Sequence, residues 1–286
     1  MTILTLLALA TLLVVLVAAA ASYLRYQLDM RDARTAWKTL ADSGREIAET
    51  FDPQTIRSLP EAARRYLIFS IAPGTRLSTT VELDMEGDFA LGDRNSHRIF
   101  PMRARQILSP PRGFVWMPQM GSGLMRMSGS DGYVEGEAWT RFWLLGLIPV
   151  ARLSGSEDLK RSAAARSIME AIWAPAALLP RNGAKWEDLS ADQARVTFLV
   201  GGEPMTMTLR IAEDGRPLEV KTMRWSDANP EKTFRWQPFG GTLEAVAGFS
   251  GYSIPTRVSV GNHFGTDQEF RFFRVRITAA RYLEAS

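Results

Sequence analysis

The sequence predicts an α+β protein that is mainly β: an N-terminal transmembrane helix, then a large curved antiparallel sheet or incomplete barrel with one inserted helix at about residues 156–174. Three observations predict it. Residues Thr2 to Leu24, TILTLLALATLLVVLVAAAASYL, carry no charge, and roughly 20 apolar residues cross a bilayer core as a helix. From Val81 onward apolar residues alternate with polar ones in short runs separated by turn signals, the pattern of half-buried strands. Between two such β-rich halves, a segment opened by a capping residue, Ser156, is bounded by Pro175 and Pro180. The chain accordingly divides into an anchor (1–28), a helical connector (29–74) and an antiparallel β-rich domain (75–286).

Composition narrows the function before any motif does. A 286-residue chain that is 46% apolar and 23% charged has the proportions of a globular protein with a sizeable core. Its 34 Lys and Arg against 31 Asp and Glu leave a net charge of +3. Those charges alternate in sign along the chain, whereas a nucleic-acid interface calls for a clustered basic face, so no nucleic-acid partner is expected. Cysteine is absent, which excludes disulfides, thiolate nucleophiles, cysteine metal sites and a lipidated cysteine. Two histidines, His97 and His263, offer little for an imidazole metal centre, and neither metal nor cofactor is predicted.

The first apolar run has no Lys or Arg before it and exceeds the roughly 7–15 residues of a cleavable signal core. It reads as an uncleaved single-pass anchor meeting the lipid bilayer through residues 2–24, although Ala18–Ala21 imitates a cleavage site. Tyr23 and Tyr26 suit the interfacial aromatic belt, with Arg25 just outside it. Arg25, Arg31, Arg34 and Lys38 follow the span and, by the positive-inside rule, favour a cytoplasmic domain. The fold analogy given below favours the opposite side, and the expectation adopted is an extracytoplasmic domain.

From Asp29 to Glu49, Ala33, Ala36, Trp37, Leu40, Ile47 and Ala48 recur at helical spacing and predict an amphipathic helix. Phe51-Asp52-Pro53 breaks it, and LPEAARRYLIFS (59–70) begins another, with Pro60 and Glu61 suited to a first turn. In residues 81–89 odd positions are apolar and even ones acidic, a strand with one wet face. Arg103 and Arg105 share a face on the next run, so antiparallel pairing sets them opposite the acidic row. Gly201-Gly202 and Asp214-Gly215 mark hairpins. Phe270 and Phe272 occupy even positions while Phe273, Val275 and Ile277 occupy odd ones, which predicts a β-bulge around Phe272-Phe273. In the inserted helix, Ala163, Ile168, Met169, Ile172 and Trp173 form an apolar side, and Lys160, Arg161 and Arg166 a polar one. The ten apolar residues Phe142 to Ala151 reach only about 15 Å as a helix, half a bilayer core, so they read as a strand running into an apolar bend.

Catalytic motifs are scarce. His263, Asp267 and Glu269 in NHFGTDQEF would supply a base, an orienting carboxylate and an acid if the fold joined them; the structural alternative is that all three serve a turn. His97 lies in a polar turn and reads as solvated. GSGLMRMSG (121–129) lacks the Lys-Ser/Thr ending of a phosphate loop and is not followed by a helix. The stronger lead is aromatic and Met-rich. Trp116, Met125, Met127, Trp139, Phe142, Trp143, Leu145, Ile172 and Trp173 either fill a core or keep an apolar surface open on the concave side of the sheet, where Met suits adaptable binding.

The ordered segments LPEAARRYLIFSIAPGT, QILSPPRGFVWMP, EAWTRFWLLGLIPVARLSG, AIWAPAALLP, VGGEPMTMTL and GYSIPTRVSVGNHFGTDQEFRFFRVRIT resemble an uncharacterised bacterial family with an N-terminal membrane helix and a domain of unknown function, over roughly residues 55–282. That resemblance implies membership and carries no activity. In outline, a strand-rich body with an inserted helix is also similar to periplasmic lipoprotein carriers, whose curved incomplete barrel holds acyl chains; this is a fold analogy without a matching motif. The sequence therefore predicts a membrane-anchored, non-enzymatic binding module for an apolar or amphiphilic, lipid-like ligand in the bacterial cell envelope. Two alternatives stay open: an enzyme using the His263/Asp267/Glu269 region, and a scaffold subunit of an envelope complex.

Overall fold

The computed structural model describes residues 2–43 and 49–283. It is a 13-stranded antiparallel sheet with few helices, the fold class predicted from the sequence. The first meander comprises β1 (Val81–Gly92), β2 (His97–Ser109), β3 (Gly113–Met120), β4 (Met127–Val134), β5 (Glu137–Leu144) and β6 (Ile148–Ser154). The second comprises β7 (Lys185–Ser190), β8 (Gln193–Val200), β9 (Glu203–Ile211), β10 (Pro217–Ser226), β11 (Arg235–Phe249), β12 (Tyr252–Asn262) and β13 (Phe270–Tyr282). They join where β1 pairs with β13, so β6 and β7 are the two edges of one open sheet.

Between β6 and β7 the chain passes from one edge to the other through the inserted helix and three short 3-10 turns, Glu170–Trp173, Pro175–Leu178 and Pro180–Asn182. Helix α3 is numbered after α1 (Ile3–Ser43) and α2 (Glu61–Ser70), and runs Glu157–Met169. Ser156 caps it as expected, its side chain accepting from the Leu159 N–H at 3.2 Å, a contact worth about 1 kcal/mol. The helix touches β9 and β10 of one meander and β3, β4 and β5 of the other, so it roofs the inner face of the sheet.

Local sequence explains the register. Val81, Leu83 and Met85 of β1 face the core while Glu82, Asp84 and Glu86 face out. Across β2, Asp84 pairs with Arg105 and Glu86 with Arg103, and the Arg105 Nε lies 3.4 Å from the Asp84 carboxylate, as the alternation predicts. Arg276 and Arg281 of β13 bind Glu86 and Glu82 from the other side. The predicted bulge is present: Val260 pairs with Phe273 and Gly261 with Arg271, leaving Phe272 as the extra residue. Hairpins close at Gly201-Gly202 and around Asp214-Gly215.

Two core regions lie on opposite faces of the sheet. The larger is the inner one, under α2, α3 and the 3-10 turns. The smaller forms where the second half of α1 lies across the outer face, packing Ala33 and Leu40 against Ile107, Val115, Val134 and Trp139. Helix α1 runs unbroken across residue 28, its apolar first half exposed. It is the one helix among the described residues long and apolar enough to cross a membrane. Ile47 and Ala48, which the spacing assigns to the same helical segment, lie outside the described residues.

The apolar run Phe142–Ala151 is a hairpin, β5 turning through Leu145-Gly146-Leu147 into β6, where the sequence predicts a bend. A second strand forms because β5 offers an open edge and residues 148–154 can pair along it. A side chain on Gly146 would meet the Tyr26 ring of α1 at 3.1 Å, and the position has φ +70, so glycine answers two demands there.

Candidate functional site

The inner face of the sheet encloses a cavity of about 300 Å³ between the two meanders, beneath α3. Its wall is built by alternation. On β3, Trp116 faces in and Val115 and Met117 face α1; on β5, Thr140 and Phe142 face in. Phe89 of β1, Met120 and Met127 extend the wall, Val220 and Phe239 close it from the second meander, and Met169, Ile172 and Trp173 form the roof. The bulge in β13 turns both Phe272 and Phe273 inward, where Phe272 meets Phe89 at 5.5 Å and stacks near Phe239 at 6.2 Å between ring centroids.

Of the nine residues singled out from the sequence, Trp116, Met127, Phe142, Ile172 and Trp173 line this cavity. Trp139 and Trp143 lie on the α1 side, because alternation along β5 sends them opposite to Phe142. The Trp139 indole N–H donates to the Ser130 hydroxyl at 2.9 Å and that of Trp143 to Asp29 at 3.0 Å. Leu145 occupies the left-handed turn position of the hairpin, φ 55. Met125 ends a short 3-10 turn, Gly123–Met125, and is exposed.

The cavity also holds charge that the sequence does not announce. Arg166, expected on the polar side of α3, points inward instead. Its Nε donates to Glu170 at 2.7 Å, its Nη1 donates to Asp131, and its guanidinium lies 4.3 Å over the Phe114 ring. Thr140 donates to Asp131 at 2.7 Å and Gln106 to Glu170 at 2.6 Å. Burial alone would push the Arg166 guanidinium down, but Glu170 and Asp131 outweigh it and raise it above its ordinary value. The i,i+4 spacing of Arg166 and Glu170 is the one sequence signal of this network; Asp131 and Gln106 come from separate strands.

The polar turn is differently occupied. The His263 Nε2 lies 2.8 Å from the Ala228 carbonyl oxygen. Glu269 accepts from the Gly265 N–H at 2.9 Å and from Arg271. Burial would raise the Glu269 carboxyl, yet Arg271 and that N–H hold it below the usual carboxylate range. Asp267 is exposed, and its backbone carbonyl accepts from Arg94. Among the described residues no hydrogen bond joins His263, Asp267 and Glu269. His97 is exposed beside Phe270, 5.2 Å between ring centroids. No cluster of three or more His, Asp or Glu able to hold a metal occurs among the described residues.

Fold and site together define a class: an open antiparallel sheet cupped around an aromatic, Met-containing cavity and carrying a long apolar N-terminal helix. Within that class, the chain belongs to the family of unknown function DUF6544, whose model matches residues 49–275. Among solved structures it is similar to a LolA superfamily protein from Nitrosomonas europaea, at 12% identity and TM-score 0.42, covering 77% of this chain and 91% of that one. It is also similar to a DUF1329 family protein from Desulfovibrio piger, at 12% identity and TM-score 0.34, covering 78% and 90%. Among curated proteins none matches the chain.

Proposed function

We propose that this chain is a membrane-anchored, non-enzymatic binding module that holds a single-chain amphiphile in its inner cavity, on the extracytoplasmic side of the cell envelope. The observation that carries the reading is the cavity itself: about 300 Å³, walled by aromatic, Met and aliphatic side chains. That volume lies at the small end of the roughly 300–1,000 Å³ range of ligand pockets, which favours one alkyl chain over several. Close packing elsewhere makes such a void costly unless something fills it.

The position of the β5–β6 hairpin supports a lipid source. Residues 2–24 carry no charge and meet the bilayer in this reading, with Tyr23 and Tyr26 at the interface. Tyr26 packs on Trp143, 6.2 Å between ring centroids, and its hydroxyl lies 3.1 Å from that of Ser128. The hairpin beside it exposes Leu147, Ile148 and Val150 (38%, 57% and 52%), while Val150 and Ala151 also line the cavity. An apolar rim at the height of the interfacial tyrosines gives an alkyl chain a route from bilayer to cavity without crossing water.

The test uses the full chain in phosphatidylcholine nanodiscs with a diazirine-bearing fatty acid and mass-spectrometric mapping of the adducts. Adducts on Trp116, Met127 or Phe142, lost in Ala151→Trp, are the expected result. Adducts confined to residues 2–24, or cavity labelling untouched by Ala151→Trp, would overturn it. A reporter fused after Ser286 that is active only outside the cytoplasm tests the orientation.

A further inference from the structure

Two polar groups in the cavity wall lack partners, and both are donors. Trp116 is 3% exposed, and its indole N–H has no hydrogen-bond acceptor. The chain has eight tryptophans. Trp37, Trp139, Trp143, Trp173, Trp186 and Trp225 each donate to an oxygen of Glu82, Ser130, Asp29, Pro255, Leu178 and Asp158 respectively. Trp236 is exposed to water. Trp116 is thus the buried tryptophan left unsatisfied, and it lines the cavity.

Arg224 of β10 is the second. Its Nε donates to the Ser162 hydroxyl at 3.0 Å and its guanidinium lies 4.8 Å over the Phe239 ring. Its two terminal nitrogens have no hydrogen-bond or ion-pair partner among the described residues, and the side chain lines the cavity. Asp131 and Glu170 are already engaged by Arg166. Burial pushes the Arg224 guanidinium down to about 10, and the charge of Arg166 adds to that against the pull of Asp131, Glu170 and Asp227. Asp131 and Glu170 balance the local charge but give Arg224 no direct hydrogen bond, so its two terminal nitrogens stay open to an anion with its own apolar body.

We propose that the ligand carries an anionic head, a carboxylate on an alkyl chain, bound through the free Nη groups of Arg224 and the Trp116 N–H, with the tail among Phe89, Phe142, Phe239 and Phe272. This rests on the binding function proposed above and adds the chemistry of the head group. A guanidinium presents two parallel donors that match a carboxylate, while the indole supplies a single fixed N–H.

The experiment compares two diazirine probes of equal chain length, a fatty acid and the corresponding fatty alcohol, on the full chain in phosphatidylcholine nanodiscs. The acid labels the cavity at least about tenfold more than the alcohol, the ratio expected of one charge-assisted pair. Arg224→Gln brings acid labelling down to about the alcohol level, a larger loss than the alcohol shows, and Trp116→Phe lowers the acid by a smaller factor. Ser162→Ala, which keeps the guanidinium, retains the preference. Excess acetate fails to displace the acid, because the tail is part of recognition; full displacement by acetate would mark a small-anion site and overturn the proposal. Equal labelling by acid and alcohol in the unaltered chain, or equal loss of both in Arg224→Gln, would overturn the head-group assignment while leaving the binding function standing. Absence of cavity label from either probe overturns both.

Discussion

The two faces of the sheet use the same residue types to opposite ends. On the outer face, α1 brings Asp29 against β5 and β6, where it accepts from Trp143 at 3.0 Å and from Arg152 at 2.9 Å. Trp37 donates to Glu82 at 2.8 Å, and Arg105 lies over the Trp37 ring. Every tryptophan and arginine at the heart of that contact has an oxygen or a ring to meet. On the inner face Trp116 and Arg224 flank a void with donors unspent. Polar satisfaction therefore separates a completed helix–sheet contact from a cavity wall that keeps donors unpaired.

The comparison can be broken most severely at Asp29. Asp29→Ala leaves a buried indole N–H and a partly buried guanidinium without their shared acceptor, and should cost about 3 kcal/mol, read as a shift in the denaturation midpoint of the solubilised chain. A paired substitution is sharper though smaller. Trp143→Phe should cost about 1 kcal/mol, since it removes one buried donor to an Asp29 carboxylate that keeps Arg152, whereas Trp116→Phe should be neutral or stabilising because it removes an unpaired donor. Equal costs at the two sites would erase the distinction between the faces. The absence of cysteine permits a third measurement: an environment-sensitive dye on Leu147→Cys should be quenched by lipid-borne quenchers several-fold more than one on Leu199→Cys, which lies in β8.

The smallest effect lies away from both faces. Glu269 has a folded-state pKa below its ordinary value, so its contribution is present at neutral pH and is lost as pH falls through the lowered value. Glu269→Gln should therefore flatten the acid-side loss of stability as pH falls from the ordinary glutamate range to below it, by less than about 1 kcal/mol for so modestly buried a group. An unchanged acid profile would show that Arg271 does not hold the carboxylate in solution.

Much of the sheet was legible because strand alternation writes burial directly into sequence. The acidic row of β1, the arginines set against it, the glycine hairpins and the bulge at Phe272 all follow from parity alone. Parity also separates Trp139 and Trp143 from Phe142, so grouping the three by proximity in sequence placed α1 contacts among cavity candidates. What parity does not encode is which strands become neighbours. The β1–β13 seam joins residues about as far apart as the β-rich region permits, and only that closure brings Arg224 into the same cavity as Trp116. Arg166 read as a solvent-facing charge because its partner Asp131 lies on β4, well upstream in sequence.

Helix α1 has a mechanical consequence. At 41 residues it is roughly 60 Å long, of which a bilayer core takes about 30 Å. Its remaining turns are clamped to the sheet by Asp29 and Trp37. In the proposed membrane setting this makes a rigid stalk and not a leash. A freely diffusing carrier can collect its load at one surface and release it at another; a bowl bolted to its own post cannot. On the proposed reading, whatever it holds is taken up and released at the membrane that carries it.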